Sequence, residues 1–338
     1  MSKLQLLFVA VISTAVLSTW LGLRPPVKRL SVSASETETT PSRGSSLTGK
    51  DLVSQGAKER LPVSDSQLSD VGETARASVL SPNLRLFVAQ AKQNPQRGGL
   101  YYAYLTLSEC RSVSTPRQRL HELEKKLDAP ARASSTRSDS LTQLKKHLDR
   151  CNDFTADELN KAEELLAVGE RDDPVIKARS QMSQLQALSQ SQRQQLAKQI
   201  VALRDPHLVP VLPHLMQSDA DAQPSGSIYI DGKKAGGVSA KALELAMMLL
   251  PCSFGEVCDG SNVTVLLACA EKGLCTRDLF ELYRRQLSGR PREQEAMMRV
   301  YRRLTEIVVR GDLSAFLPPP TSQAVNRPDL SGSSVPPI

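Results

Sequence analysis

Residues 291–311, PREQEAMMRVYRRLTEIVVRG, decide the fold class. Met297, Val300, Tyr301, Leu304, Ile307 and Val308 recur three and four positions apart, which puts them on one face of an α-helix, while arginines and glutamates fill the other face. Pro291 suits the first turn, where a backbone N–H has no intrahelical acceptor, and Gly311 suits the left-handed stop. A helix so built must bury its stripe, so this stretch predicts a core helix.

Working backwards, the same grammar recurs. Helices are expected to start near Ser239, Ser261 and Thr276, the first with Leu243, Met247 and Leu250 on one face. Earlier segments follow: Leu84 to Gln93, Leu100 to Cys110, Arg117 to Leu127, Leu141 to Cys151, Ala156 to Val168 and Val175 to Leu203. Asn94, Pro95, Gly98 and Gly99 punctuate the first pair into a helical hairpin, Asp139 and Thr155 are the expected N-caps, and Pro174 opens a helix. Residues 184–199, dense in Gln, Ser, Leu and Ala, have the texture of a coiled-coil surface but too few heptads to establish one. The texture changes only at Ser227 to Gly237, where Ile228, Tyr229 and Ile230 precede Asp231-Gly232, a dipeptide suited to a tight turn between short strands. With 40% hydrophobic residues but 4% aromatics, the core must be built of Leu, Ala, Val and Met, which favours helices over a β-sandwich. The expected fold class is therefore all-α, an irregular bundle of short helices with one small β-hairpin or extended loop near 227–237. It divides into an N-terminal helical region, 82–204, and a C-terminal helical region with paired cysteines, 205–316.

The flanks read differently. Residues 24–81 are rich in Ser, Thr and Gly, and residues 317–338 in Pro and Ser; neither has enough large apolar side chains to offset the entropy of ordering, so both are expected to be disordered. Ahead of them, Leu4 to Leu23 carries no charged residue over a length that just spans a hydrocarbon core, with Trp20 at an interfacial position. An uncleaved transmembrane anchor is one reading. A cleaved signal sequence, Leu4 to Ile12 followed by small residues Ser13 and Ala15, is the other. Both send the body across a membrane. The expected location is a bacterial inner membrane with the soluble domain in the periplasm, or a secreted or periplasmic product after cleavage.

Six cysteines carry the chemistry. Cys252, Cys258, Cys269 and Cys275 form the regular pattern C-x5-C-x10-C-x5-C, with Gly255 and Gly273 inside the two short loops. In an oxidising envelope an even count favours disulfides, and we favour the local pairs Cys252 with Cys258 and Cys269 with Cys275, leaving Cys110 and Cys151 to tie two helix ends together. Six cysteines allow fifteen connectivities, so this pairing is one choice among them. Four thiolates could instead bind zinc, yet the short C-x2-C knuckle is absent, and no C-x-x-C suggests redox catalysis.

Other motifs are weaker. GSSLTGK at 44–50 imitates a phosphate-binding loop, but Asp51 follows where Ser or Thr must hold Mg²⁺. His207 and His214 are separated by Pro210 and Pro213, and no neighbouring carboxylate or thiolate completes a site; His121 and His147 sit among charged residues, as on a solvated face. Arg284, Arg285, Arg290, Arg292, Arg299, Arg302 and Arg303 concentrate positive charge, but Glu281, Glu293, Glu295 and Glu306 interrupt it, so helix-surface ion pairs are expected rather than a nucleic-acid footprint. The formal net charge of +7 has the same interspersed character.

The segment CSFGEVCDGSNVTVLLACAEKGLCTRDLFELYRR at 252–285, with GGLYYAYLTLSEC at 98–110, resembles a pattern in uncharacterised exported helical proteins of proteobacteria, with paired cysteines around an apolar helix. The resemblance implies an envelope location and disulfides, and transfers no catalytic residue. No catalytic residue, cofactor or metal ligand is expected. The reading is a non-catalytic, membrane-tethered envelope domain, contacting the membrane through its N-terminal segment and an envelope protein as partner, with no nucleic acid. The alternatives are an envelope enzyme whose site assembles only in three dimensions, for which a cleft joining Asp or Glu to His would speak, and a membrane-anchored cytosolic regulator with reduced thiols.

Overall fold

The computed structural model describes residues 68–127, 135–216, 228–235 and 239–318. Among these residues the fold is all-α, with fourteen α-helices and one two-stranded sheet. The expected anchor or signal at 4–23, most of the linker, the phosphate-loop imitation and the tail from 319 lie outside them. No helix of the described residues is long and apolar enough to cross a membrane.

The first helix, α1 (Asp70–Leu80), corrects the linker boundary expected at residue 81. Ser69 caps it by accepting the Gly72 N–H at 3.0 Å, and its hydroxyl donates to the Leu203 carbonyl at 2.6 Å. Only Val71, Gly72 and Ala75 are buried, so the helix is too polar to stand out by composition. A hairpin follows, α2 (Leu84–Lys92) and α3 (Gly99–Arg111), joined by a turn with Gly98 in the left-handed conformation (φ 74°). A Cβ on Gly99 would lie 2.0 Å from the Ala91 carbonyl oxygen, so the two backbones touch where only glycine fits.

Helices α4 (Ser114–Leu127) and α5 (Ser135–Asp149) come next; Asp139 lies inside α5 rather than capping it. The helix expected over Ala156 to Val168 is two, α6 (Ala156–Asn160) and α7 (Glu164–Asp172), with Thr155 capping α6 in a reciprocal box with Glu158. Val175 to Leu203 is likewise split into α8 (Pro174–Met182) and α9 (Gln190–Leu203), because Ser189 and Gln192 form a second capping box that starts a new helix. Residues 184–199 therefore form no continuous coiled-coil surface; Leu196, Ala197 and Ile200 of α9 face the core. After α10 (Leu212–Leu215), Tyr229–Ile230 (β1) pairs antiparallel with Lys233–Lys234 (β2), and Asp231 and Gly232 both take positive φ, as a tight hairpin turn requires. Arg303 grips the Asp231 carboxylate through Nε at 2.9 Å and Nη2 at 2.5 Å, fixing the hairpin to the last helix.

The remaining helices are α11 (Ala240–Leu249), α12 (Val263–Lys272), α13 (Leu279–Gln286) and α14 (Pro291–Arg310). The full expected stripe of α14 is buried, and Gly311 ends it in the left-handed conformation. On α11 the buried face is Ala242, Leu245, Ala246 and Leu249, not Leu243 and Met247, which are only partly buried. Apolar residues surround α11 almost completely, and the small alanines allow closer approach to α14, against which it packs. One apolar cluster runs from Val71 to Phe316 and continues across residue 204. A smaller one, Leu120, Leu141, Leu144, Leu266 and Ala270, joins α4, α5 and α12.

Candidate functional site

All six cysteines pair as Cys110–Cys151, Cys252–Cys258 and Cys269–Cys275, with Cα separations of 5.2, 5.7 and 4.1 Å. Two of these bridges hold charged residues in place. Glu109 precedes Cys110 at the end of α3, Arg150 precedes Cys151, and Glu256 lies inside the 252–258 loop.

That loop is anchored on both sides. Ser253 exchanges hydrogen bonds with Tyr301 (2.8 Å) and Thr305 (3.1 Å) of α14, all three buried. Gly255, at φ 117°, lies with its backbone against Gly72 of α1, where an added Cβ would be 2.3 Å from the Gly72 carbonyl oxygen. Glu256 is thereby aimed from a fixed backbone.

On α3, Tyr101 and Tyr102 are almost fully buried with their rings edge to face at 5.2 Å. Two buried aspartates place them. Asp173 caps α8 through Oδ1, accepting the N–H groups of Val175 and Ile176, while Oδ2 accepts the Tyr101 N–H at 3.0 Å. Asp205 accepts the N–H groups of His207 and Leu208 through Oδ1 and the Tyr102 hydroxyl at 2.5 Å through Oδ2. Burial raises the pKa of both carboxyls against the lowering effect of these hydrogen bonds. The turn after Asp205 brings the His207 ring to 6.2 Å from Tyr101 and 5.9 Å from Tyr102. The guanidinium of Arg179 lies 5.0 Å from the centre of the Tyr101 ring.

Glu109 of α3 and Asp205 stand close enough to Glu256 of the 252–258 loop for their charges to act on it, while His207, in the turn after Asp205, stands against the rings of Tyr101 and Tyr102. Glu109 and His207 are exposed and Glu256 is half-buried. Among the described residues none hydrogen-bonds to these three side chains. Desolvation raises Glu109, against the opposing charge of Arg150, and lowers His207 towards the neutral imidazole. Desolvation, with the charges of Glu109 and Asp205 adding to it, raises Glu256 from the ordinary 4.5 to about 7. Among the described residues no three His, Cys, Asp or Glu side chains converge closely enough to share a metal ion.

Among the described residues Asp205 accepts the His207 backbone N–H, and no carboxylate bonds the His207 ring. Asp205 is two residues away, and Glu109 and Glu256 arrive through tertiary packing, so nothing in their spacing announces them. His214 is exposed on α10. His121 is exposed as expected, but His147 is half-buried, accepts from Arg150 Nη2 at 2.6 Å through Nδ1, and is lowered to about 4 by desolvation and by that charge. Arg150 also donates to the carbonyls of Val79 (2.6 Å) and Ser81 (2.9 Å), closing the C-terminal end of α1. Of the arginines near the last helices, Arg285, Arg290 and Arg303 do form helix-surface ion pairs, with Glu281, Glu293 and Glu306.

The raised Glu256 has a measurable consequence. The folded state holds the Glu256 proton up to about pH 7, while the unfolded chain releases it near 4.5. Stability from this group is full below 4.5 and lost as pH rises through 7. Glu256→Gln removes the ionisation, so the variant is expected to exceed the parent by about 2 kcal/mol at pH 8, discounted for partial exposure, and to match it near pH 4. Urea unfolding at the two pH values checks this; equal midpoints at pH 8 would contradict the enclosed carboxylate.

The chain matches no protein-family model, and neither a curated protein nor a solved structure is found similar to it.

Proposed function

We propose that this chain is a non-catalytic, membrane-tethered envelope domain that binds another component of the envelope at the surface carrying Glu109, Glu256 and His207. The observation that carries the reading is that Glu256 is half-buried without a hydrogen-bond partner among the described residues, while Glu109 and Asp205 add negative charge to its surroundings. Such a carboxyl gains from an incoming donor, and the Cys252–Cys258 bridge holds its loop in place. Three disulfides support an oxidising compartment, and Leu4 to Leu23 supports membrane targeting.

The test is photo-crosslinking in intact cells, with a photoreactive amino acid at His207 and, as control, at Arg299 on the exposed side of α14. An adduct at 207 that is absent at 299 is expected, together with cysteines that resist alkylation until reduced. No adduct at 207, or equal labelling at both positions, overturns the binding site; immediate alkylation of all six cysteines overturns the compartment.

A second reading, an acid–base enzyme, is favoured by Glu256 raised to about 7, the range suited to proton transfer. Glu256→Gln separates the two. A binding site loses adduct when it loses the charge; an enzyme arrested before chemistry accumulates it.

A further inference from the structure

We propose that the exposed side of α14 is a docking surface for an anionic phospholipid membrane, with Arg292, Arg299 and Arg302 as its contacts. The inference rests on the membrane-tethered reading and names the face that the domain turns to the bilayer.

Two observations carry it. The first is charge left over on one side of a helix. Arg292, Arg299 and Arg302 recur seven and three positions apart, so they share a side of α14, opposite the buried Met297, Val300, Tyr301 and Leu304. All three are exposed, spread over about 15 Å of helix. Other acids of α14 are already engaged, Glu293 by Arg290 and Glu306 by Arg303 and Arg310. Among the described residues none of the three arginines forms an ion pair; Arg302 donates through Nε to the Met298 carbonyl of its own helix at 3.3 Å, which leaves its charge unopposed. Glu295 is the one acid among them, so positive charge dominates this side. Helix-surface ion pairs, which account for the neighbouring arginines, do not account for these.

The second observation is where the chain enters the domain. Ser69 donates its hydroxyl to the Leu203 carbonyl at 2.6 Å, and Arg204, the next residue, donates to the Val309 carbonyl at 3.1 Å. The sequence that leads from residues 4–23 therefore joins the domain beside the C-terminal end of α14. Val309, seven positions beyond Arg302 and 37% exposed, continues the arginine side towards that end with an apolar residue. A membrane-inserted segment attached there makes docking of α14 an intramolecular event, for which a weak attraction suffices. That is why a lipid surface fits this face better than an acidic protein, which would meet the same charges without the tether. Attraction of arginines to an anionic bilayer is short-ranged and screened by salt, so docking is expected to be salt-sensitive.

Arginine footprinting of the full chain in vesicles tests this. The chain is reconstituted in phosphatidylcholine alone and in an equal mixture with phosphatidylglycerol, treated with phenylglyoxal and read by mass spectrometry. Modification of Arg292, Arg299 and Arg302 is expected to fall at least about fivefold in the anionic vesicles and to recover at high salt, while the exposed Arg171 at the end of α7 reacts alike in both. In Arg299→Gln/Arg302→Gln, two exposed substitutions, the protection of Arg292 is expected to be lost. Equal modification in the two vesicle types, protection that extends to Arg171, or protection of Arg292 that survives in the double variant overturns the docking surface. Protection by soluble poly-aspartate where anionic vesicles give none also overturns it, and assigns the arginines to an acidic protein. Flotation of the same samples separates the two readings. If the chain floats with both vesicle types while the arginines react equally, only the docking face fails; if neutral vesicles float without the chain, the membrane-tethered reading fails and takes the docking face with it. Lipid attached to a photoreactive residue at 299 adds only the mass of a lipid, so it stays distinct from a protein adduct at 207.

Discussion

Gly255→Ala is expected to destabilise the protein by about 3–5 kcal/mol, whereas Gly273→Ala, in the other short disulfide loop, costs only about 1 kcal/mol. Both glycines have positive φ, 117° and 68°, so both substitutions carry backbone strain. They differ in what a Cβ would meet. At Gly273 there is nothing within 4 Å; at Gly255 the neighbours are the carbonyl oxygen, carbonyl carbon and Cα of Gly72, at 2.3, 2.9 and 3.0 Å. Those are backbone atoms of α1, which cannot rotate away as the end of a side chain would. The methyl group must push α1 and the 252–258 loop apart, and Glu256 moves with the loop. Guanidinium unfolding of the two variants side by side measures the difference, and equal losses would mean that α1 does not lie against the loop.

The same contact explains what was legible in the sequence. The α14 stripe, the Pro291 start and the Gly311 stop could be read because each is a local signal repeated at the helical period. The Asp231-Gly232 turn is legible for a similar reason, since two adjacent residues with positive φ need those side chains. The short, regular spacing suggests the two local cysteine pairs as one choice among fifteen connectivities, and once four are paired locally the last two have only each other. Helix α1 was missed because its buried face is Val71, Gly72 and Ala75, and two of these bury too little to register as apolar periodicity. Ala156 to Val168 and Val175 to Leu203 read as unbroken because the periodicity continues through the break, while the capping box at Ser189 is a signal of a few polar residues. The site was illegible for a deeper reason. Glu109, Glu256 and His207 lie far apart in the chain, and each alone is an ordinary polar residue. Only the disulfide partners beside Glu109 and Glu256 hinted that those positions are held rigidly.

Removing the Cys110–Cys151 bridge by double substitution to serine is expected to cost about 4 kcal/mol, against about 2.5 kcal/mol for Cys269–Cys275. The difference follows from loop length, since the bridges close sequence separations of 41 and 6 residues and the longer loop has more unfolded-state freedom to lose. Position also separates them. Cys110 ends α3, which belongs to the main core; Cys151 follows α5, whose buried Leu141 and Leu144 belong to the smaller cluster with α4 and α12. The bridge therefore joins two cores, and it holds Glu109 where the charge of Arg150 acts on it. The Cys269–Cys275 bridge only closes the end of α12. Both double variants should lose stability in urea, Cys110→Ser/Cys151→Ser by the larger amount. If the two lose stability equally, the long bridge has no special place between the cores. If the larger loss follows the long bridge, then the link between α3 and α5 carries more of the fold than the closure of a short loop at the end of α12.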